Sequence, residues 1–207
     1  MNLIRISPRG FGANTYVLTD ENNQAIVIDP SQPRVESELL KLGITPKYVL
    51  LTHCHFDHVG GVSALQQAGA KVFCSAQEKP LVNTSADLFD AFGAPRNPYT
   101  VDDTFLDNES KTLLGYTVQA LLTPGHTAGS VCYLITDSKG EQALFTGDTL
   151  FAGSIGRTDF PTASPAQMRQ SLRRLYALDK DYPVYPGHED STTLQTERKQ
   201  NPFLQDA

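Results

Sequence analysis

Cysteine is scarce. The 207-residue chain has three, Cys54, Cys74 and Cys132, odd in number and far apart, which argues against a disulfide framework and makes a reducing cytoplasm the expected setting. Basic residues are in deficit. Seventeen Lys and Arg face 23 Asp and Glu, a formal net charge of −6, and a nucleic-acid surface would normally show the opposite balance. No apolar run follows Arg5 and Arg9 near the start, so no secretory signal is expected. The longest stretch without an acidic or basic side chain, Thr112 to Thr136, is long enough to raise the question of a membrane span. Gly115, Pro124, Gly125 and Gly129 break it into two strand-like pieces, and no span is expected. Low-complexity tracts, charge blocks and linkers are also missing. At 40% hydrophobic and 19% charged, the chain reads as a single globular domain over residues 1–207.

Short apolar runs bounded by Gly, Asn or Asp-Pro predict strands at Leu3–Ile6, Thr15–Thr19 and Ala25–Ile28, then at Tyr48–Leu51, Tyr116–Leu122, Ser130–Ile135, Gln142–Phe145 and Pro183–Tyr185. Val35, Leu39 and Leu42, spaced i, i+4, i+7 between Pro33 and Gly43, predict a helix. Ser164-Pro165-Ala166-Gln167 is a capping box, and the helix after it carries a stripe of Met168, Leu172, Leu175 and Tyr176. A last helix is expected over Thr192–Gln200. The irregular stretch Asn83 to Asp107 reads as a covering loop or a pair of short helices. Strands punctuated by helices suggest sheets covered by helices.

Four of the apolar strands run directly into a metal-ligating residue type: Thr52 into His53, Pro124-Gly125 into His126, Gly147 into Asp148, and Pro186-Gly187 into His188. Loops after strands on a rigid sheet are where sites are built. All five histidines of the chain fall in this pattern, three of them in His53-Cys54-His55-Phe56-Asp57-His58. His53 and His55, two apart, point the same way in an extended loop and can grip one ion. Asp57 and His58 diverge from that pair and suit a second. His126 and His188 arrive from distant strands, and Asp148 can bridge with its two carboxylate oxygens. The expected sets are His53, His55, His126 and Asp148 for one metal, and Asp57, His58, His188 and Asp148 for the other. Nitrogen and oxygen donors suit Zn²⁺ foremost, with Fe and Mn also fitting. A closed structural zinc site would be cysteine-rich. Cys54 should point away from the ions and pack, Cys74 and Cys132 should lie in the core, and Gly60-Gly61 should serve close backbone packing by the metals or a helix start.

The pattern His-x-His-x-Asp-His at His53 to His58, with His126, Asp148 and His188 after it, resembles the metallo-β-lactamase fold superfamily. The resemblance runs from Asn14-Thr15-Tyr16 to Asn201-Pro202-Phe203-Leu204. It implies an α/β (α+β) fold, a four-layer αββα sandwich with two metals at one edge. The best-known β-lactamases carry cysteine where this chain has Asp148, and flavodiiron proteins carry Glu where it has His55. The stretch Gly147 to Pro161 resembles the short, single-domain form of glyoxalase II-type hydrolases. That resemblance implies hydrolysis of a small, anionic thioester of the S-lactoylglutathione type by a metal-bridging hydroxide, with Asp57 as catalytic residue and Arg157 in substrate binding. The tyrosines such enzymes use for glutathione are Asp159 and Asp190 here, and Asp159 is also a candidate internal partner for Arg157. Two further readings stand beside it. One is a mononuclear iron persulfide dioxygenase, suggested by Gly156-Arg157-Thr158-Asp159-Phe160. The other is a non-catalytic, metal-dependent binding module.

Overall fold

The structure is a computed structural model that describes residues 1–205. Twelve strands form two six-stranded mixed sheets among these residues. The first sheet runs in spatial order β1 (Leu3–Ile6), β2 (Thr15–Thr19), β3 (Gln24–Ile28), β4 (Thr45–Leu50), β5 (Lys71–Ser75), β6 (Asp103–Phe105). The second holds β7 (Ser110–Leu113), β8 (Tyr116–Leu122), β9 (Val131–Thr136), β10 (Gln142–Gly147), β11 (Pro183–Pro186) and β12 (Thr192–Thr193), in the same sequential order.

Alternation along the strands builds the layers. Tyr16, Leu18, Ile26, Ile28 and Leu50 face Val118, Ala120, Val131, Tyr133 and Phe145 in the core between the sheets. Their odd-even neighbours Val17, Val27, Val49 and Leu51 point outward, onto Val35 and Leu39 of α1 (Arg34–Lys41) and onto Val59, Val62 and Leu65 of α2 (Phe56–Val59) and α3 (Val62–Gln67). On the far side Cys132, Leu134 and Leu144 meet Met168, Leu172 and Leu175 of α4 (Pro165–Tyr176), Leu194 of α5 (Leu194–Gln200) and Leu204 of α6 (Pro202–Gln205). The four-layer α/β sandwich expected from the sequence is therefore present.

Where β3–β4, β4–β5 and β10–β11 pair in parallel, α1, α2–α3 and α4 make the crossovers. Parallel pairing aligns the carboxyl ends of neighbouring strands, where loops converge. Near those ends the sheets are tied together: Val131 N–H donates to Thr52 O at 3.0 Å, and the Tyr133 and Tyr16 hydroxyls donate to Leu51 O at 2.9 Å and Pro186 O at 2.8 Å.

Several local expectations are corrected. Tyr176 leaves the apolar stripe and is 48% exposed. Eight residues after Met168, it lies on the flank of the helix face. Leu42 is 58% exposed because α1 ends at Lys41, so Leu42 is the cap and Ile44 is buried instead. Gly43, at φ +68°, supplies the left-handed residue that closes the helix. Thr192 and Thr193 pair with β11 as a strand, and the last long helix starts only at Leu194. Only half of the capping box forms. Ser164 Oγ accepts the Gln167 N–H, while the Ser164 N–H donates to Gly125 O. Gly60 and Gly61 lie where an added Cβ would meet Ser31 O and Gln32 O, both at 2.5 Å. Their close packing is therefore against the loop after β3, and Gly61 also caps α3. The 83–107 stretch contains one 3₁₀ turn, Ser85–Asp87, and strand β6, not a pair of helices.

Candidate metal centre

The loops after β4, β8, β10 and β11 meet at one edge of the sandwich. His53, His55 and His58 come from the first sheet's side and are 0–2% exposed, as is His126 from the second. His55 Nδ1 stands 2.9 Å from His126 Nε2. Asp148 lies between the rest: its Oδ1 is 3.2 Å from His58 Nε2, and its Oδ2 is 3.5 and 3.6 Å from the Nε2 atoms of His126 and His188. Asp57 Oδ2 is 3.3 Å from His188 Nε2. Among the described residues three groupings could hold a metal ion: His53–His55–His126, His53–His58–Asp148 and Asp57–His58–His188. The structure thus brings together all seven residues singled out in the sequence and includes no cysteine in any grouping.

Four buried side-chain polar atoms among the described residues have no hydrogen-bond partner: His53 Nε2, His55 Nε2, His58 Nε2 and Asp148 Oδ1. All four lie in this one cluster. An unpartnered buried polar atom is costly, and four nitrogen and oxygen donors left open toward one another fit divalent cations. A family model described as the metallo-beta-lactamase superfamily matches residues 8–188. The chain belongs to the metallo-β-lactamase superfamily.

Among relatives in this superfamily, hydroxyacylglutathione hydrolase GloC of Haemophilus influenzae is 33% identical over 211 aligned residues, covering 99% of this chain and 98% of GloC. Solved structures of similar shape include TTHA1623 in a di-iron-bound form, with a TM-score of 0.82, 34% identity and 97% and 99% coverage. The B3 metallo-β-lactamase BLEG-1 gives a TM-score of 0.80 at 32% identity, covering 98% of this chain and 99% of its own. The chain is accordingly a metallo-hydrolase of this superfamily.

Two of the histidines are in the protonation state that ligation needs. Burial drives His53 well below the usual imidazole range, and His58, His55 and His126 around it push the same way. Burial, then His126, lowers His55 to about 3. Both rings are thus neutral near pH 7, with a lone pair to give. Burial also opposes charge on Asp57, His58, Asp148 and His188, but their mutual attraction outweighs it. Asp148 and Asp29 hold His58 above its ordinary value, and His58 holds Asp148 low. The hydrogen bond between Asp57 and His188 lowers the acid and raises the base.

Three supporting residues were not read from the sequence. Asp29, with φ +48° at the end of β3, accepts the Thr52 N–H at 2.8 Å, the Thr52 hydroxyl at 2.6 Å and His58 Nδ1–H at 2.9 Å. The Thr52 hydroxyl in turn lies 3.1 Å from His53 Nδ1. Glu78 is fully buried and accepts the Cys54 N–H at 2.8 Å and the Thr127 hydroxyl at 2.7 Å, joining the His53–His55 loop to the His126 loop. In sequence, Asp29-Pro30 reads only as a strand stop, and Glu78 falls in no predicted element or motif. No spacing rule announces either role.

Arg157 contributes in two ways. Its guanidinium is exposed and grips Asp159 through two contacts of 2.7 Å, the internal pairing weighed in the sequence reading. Its main-chain oxygen accepts His126 Nδ1–H at 2.8 Å, an orienting contact that any residue could supply. Asp190, the other substituted tyrosine position, pairs with Arg5 at 3.2 Å.

Proposed function

We propose that this metallo-hydrolase cleaves thioesters, with S-lactoylglutathione as the reference substrate type, at a centre of two divalent ions, zinc foremost. The convergence of four unpartnered donor atoms from the segments after β4 and β10 carries this reading, and likeness to GloC supports the choice of thioesters. Three buried free thiols suit the reducing cytoplasm assigned to it.

In this reading His53, His55 and His126 would hold one ion and Asp57, His58 and His188 the other, with Asp148 shared between them. When bound, such ions supply hydroxide near neutral pH and polarise a carbonyl oxygen. The protein's own contribution is positional. Asp29 fixes His58 in the tautomer with Nδ1–H, and the Arg157 carbonyl does the same for His126. Asp57, held ionised by His188, orients the attacking water and receives its proton. A carbon–oxygen bond forms and the carbon–sulfur bond breaks, giving a carboxylic acid and a thiol with no change of oxidation state. The thiolate leaves readily because thiols have a pKa of about 8.5, so the site needs no further acid.

Zinc-loaded protein should release thiol from S-lactoylglutathione or another thioester without consuming oxygen, and His53→Ala should abolish it. Absence of hydrolysis on every thioester and ester tried would overturn the proposal. Oxygen uptake with glutathione persulfide by iron-loaded protein would replace it with the dioxygenase reading, and turnover of β-lactams alone with the chemistry in BLEG-1's name.

A further inference from the structure

The floor of the candidate site is ionic, but its walls are not. A cavity of about 270 Å³ above Asp57, His126 and His188 is walled by Phe11, Phe56, Leu88, Phe92, Phe151 and Phe160. Phe92 stacks on Phe56 with centroids 4.8 Å apart and meets Phe160 edge-on at 6.1 Å. Phe160 stands edge-on to His55 at 5.5 Å and His126 at 6.1 Å. Aromatic rings therefore lead from the candidate ligands to the surface. At the rim Phe11 is 95% exposed and Phe92 is 53% exposed. Grouped exposed apolar side chains beside a cleft mark a binding surface rather than a packing need. Leu88 is held at φ +65°, in the left-handed region a leucine rarely adopts, and is among the residues that line the same cavity. Backbone strain of this kind persists where position matters.

The charge of the mouth points the same way. Arg157 is the one Lys or Arg lining it among the described residues. Asp159 occupies the guanidinium through two 2.7 Å contacts, and Phe160 lies beneath it at 4.0 Å. A substrate carboxylate would have to displace one tethered two residues away, at high effective concentration, and would exchange like for like. Asp190 pairs with Arg5 through one contact of 3.2 Å. Glutathione, with two carboxylates, finds no free cation in this cavity.

We infer that the mouth selects its substrate by an apolar arm, aryl or alkyl, next to the scissile thioester, and not by the carboxylates of glutathione. This rests on the thioester-hydrolase reading above. It accounts for residues which that reading leaves idle: Leu88, Phe92, Phe160 and the Arg157–Asp159 pair.

Four substrates test it on zinc-loaded protein: S-lactoylglutathione, the lactoyl thioester of benzyl mercaptan, the phenylacetyl thioester of N-acetylcysteamine, and its armless acetyl counterpart. At least one benzyl-bearing substrate should exceed S-lactoylglutathione in kcat/KM by about tenfold or more, and Phe92→Ala should shrink that advantage by about tenfold. Phe92 is half exposed, so the variant should fold. Asp159→Asn, by freeing Arg157, should raise kcat/KM for S-lactoylglutathione by up to about fivefold. A wild-type preference for S-lactoylglutathione, or equal losses on all four substrates in Phe92→Ala, overturns the inference while leaving the hydrolase reading intact. If no thioester is cleaved, that reading fails, and calorimetric binding of two inert thioethers decides the mouth separately. Tighter binding of N-acetyl-S-benzylcysteamine than of S-methylglutathione, lost in Phe92→Ala, supports the apolar mouth, and the reverse order overturns it.

Discussion

Asp29 sits outside the ring of candidate ligands, yet three donors converge on its carboxylate: the Thr52 N–H, the Thr52 hydroxyl and His58 Nδ1–H. With Nδ1 committed as a donor, Nε2, facing Asp148, is the nitrogen left to bind a metal. Replacing the acid with its amide preserves shape but sets an NH₂ against one of those donors. Asp29→Asn should lower divalent-metal affinity by about 10–100-fold, measured by competition with a chromophoric chelator. Unchanged affinity would reduce Asp29 to a packing residue. The seven ligand candidates were legible in the sequence because histidine and aspartate advertise their chemistry and five histidines had no other evident use. Asp29, Thr52 and Glu78 were not, because orienting a ligand demands only an acceptor or hydroxyl at the right place, and place is not written in residue type.

Strand ends, and the turns that close them, are the elements that aim the ligands. Glycine and proline before His126, Asp148 and His188 remove bulk where chains cross closely. Gly187 is the sharpest case: a Cβ there would lie 2.5 Å from both Asp148 Oδ1 and His58 Cε1. Such an overlap must be relieved by moving ligands. Gly187→Ala should therefore weaken metal binding by about tenfold or more, with a smaller effect on the urea midpoint of the metal-free protein. A variant with normal metal affinity would show that the turn can yield without disturbing the site. Eight of the twelve strands are legible in the sequence, because alternation with a period of two fixes both their existence and the face they bury, whereas β5, β6, β7 and β12 emerge only in the structure. Within the predicted elements, the differences lie at ends and flanks. At Leu42 and Tyr176 helical periodicity runs on past the point where helix and core part company. At Thr192–Thr193 pairing with β11, an edge contact local sequence does not encode, claims two residues from a helix.

The whole molecule is two sheets clamped face to face, with half of the site on each. His53, His55, Asp57 and His58 follow β4 of one sheet, while His126, Asp148 and His188 follow strands of the other. Cations bound across that seam bind the folded state and not the unfolded chain, so they stabilise it by mass action. At free metal a thousandfold above Kd the gain is about 4 kcal/mol, or roughly 8–16 °C in Tm for a chain of this size. Calorimetry of metal-loaded and chelator-treated protein should show that gap. A Tm indifferent to metal would mean that the cluster binds no ion of consequence. The sequence by itself determined the class of the fold, the strand-to-ligand pattern and the set of residues able to hold metal, since periodicity and donor chemistry are local properties. Only the tertiary structure decided which acids became supports, that Arg157 is spent on Asp159, and that Leu88 and Phe92 reach across to wall the site. These are matters of distance between segments far apart in the chain, and distance is set by how the sheets pack.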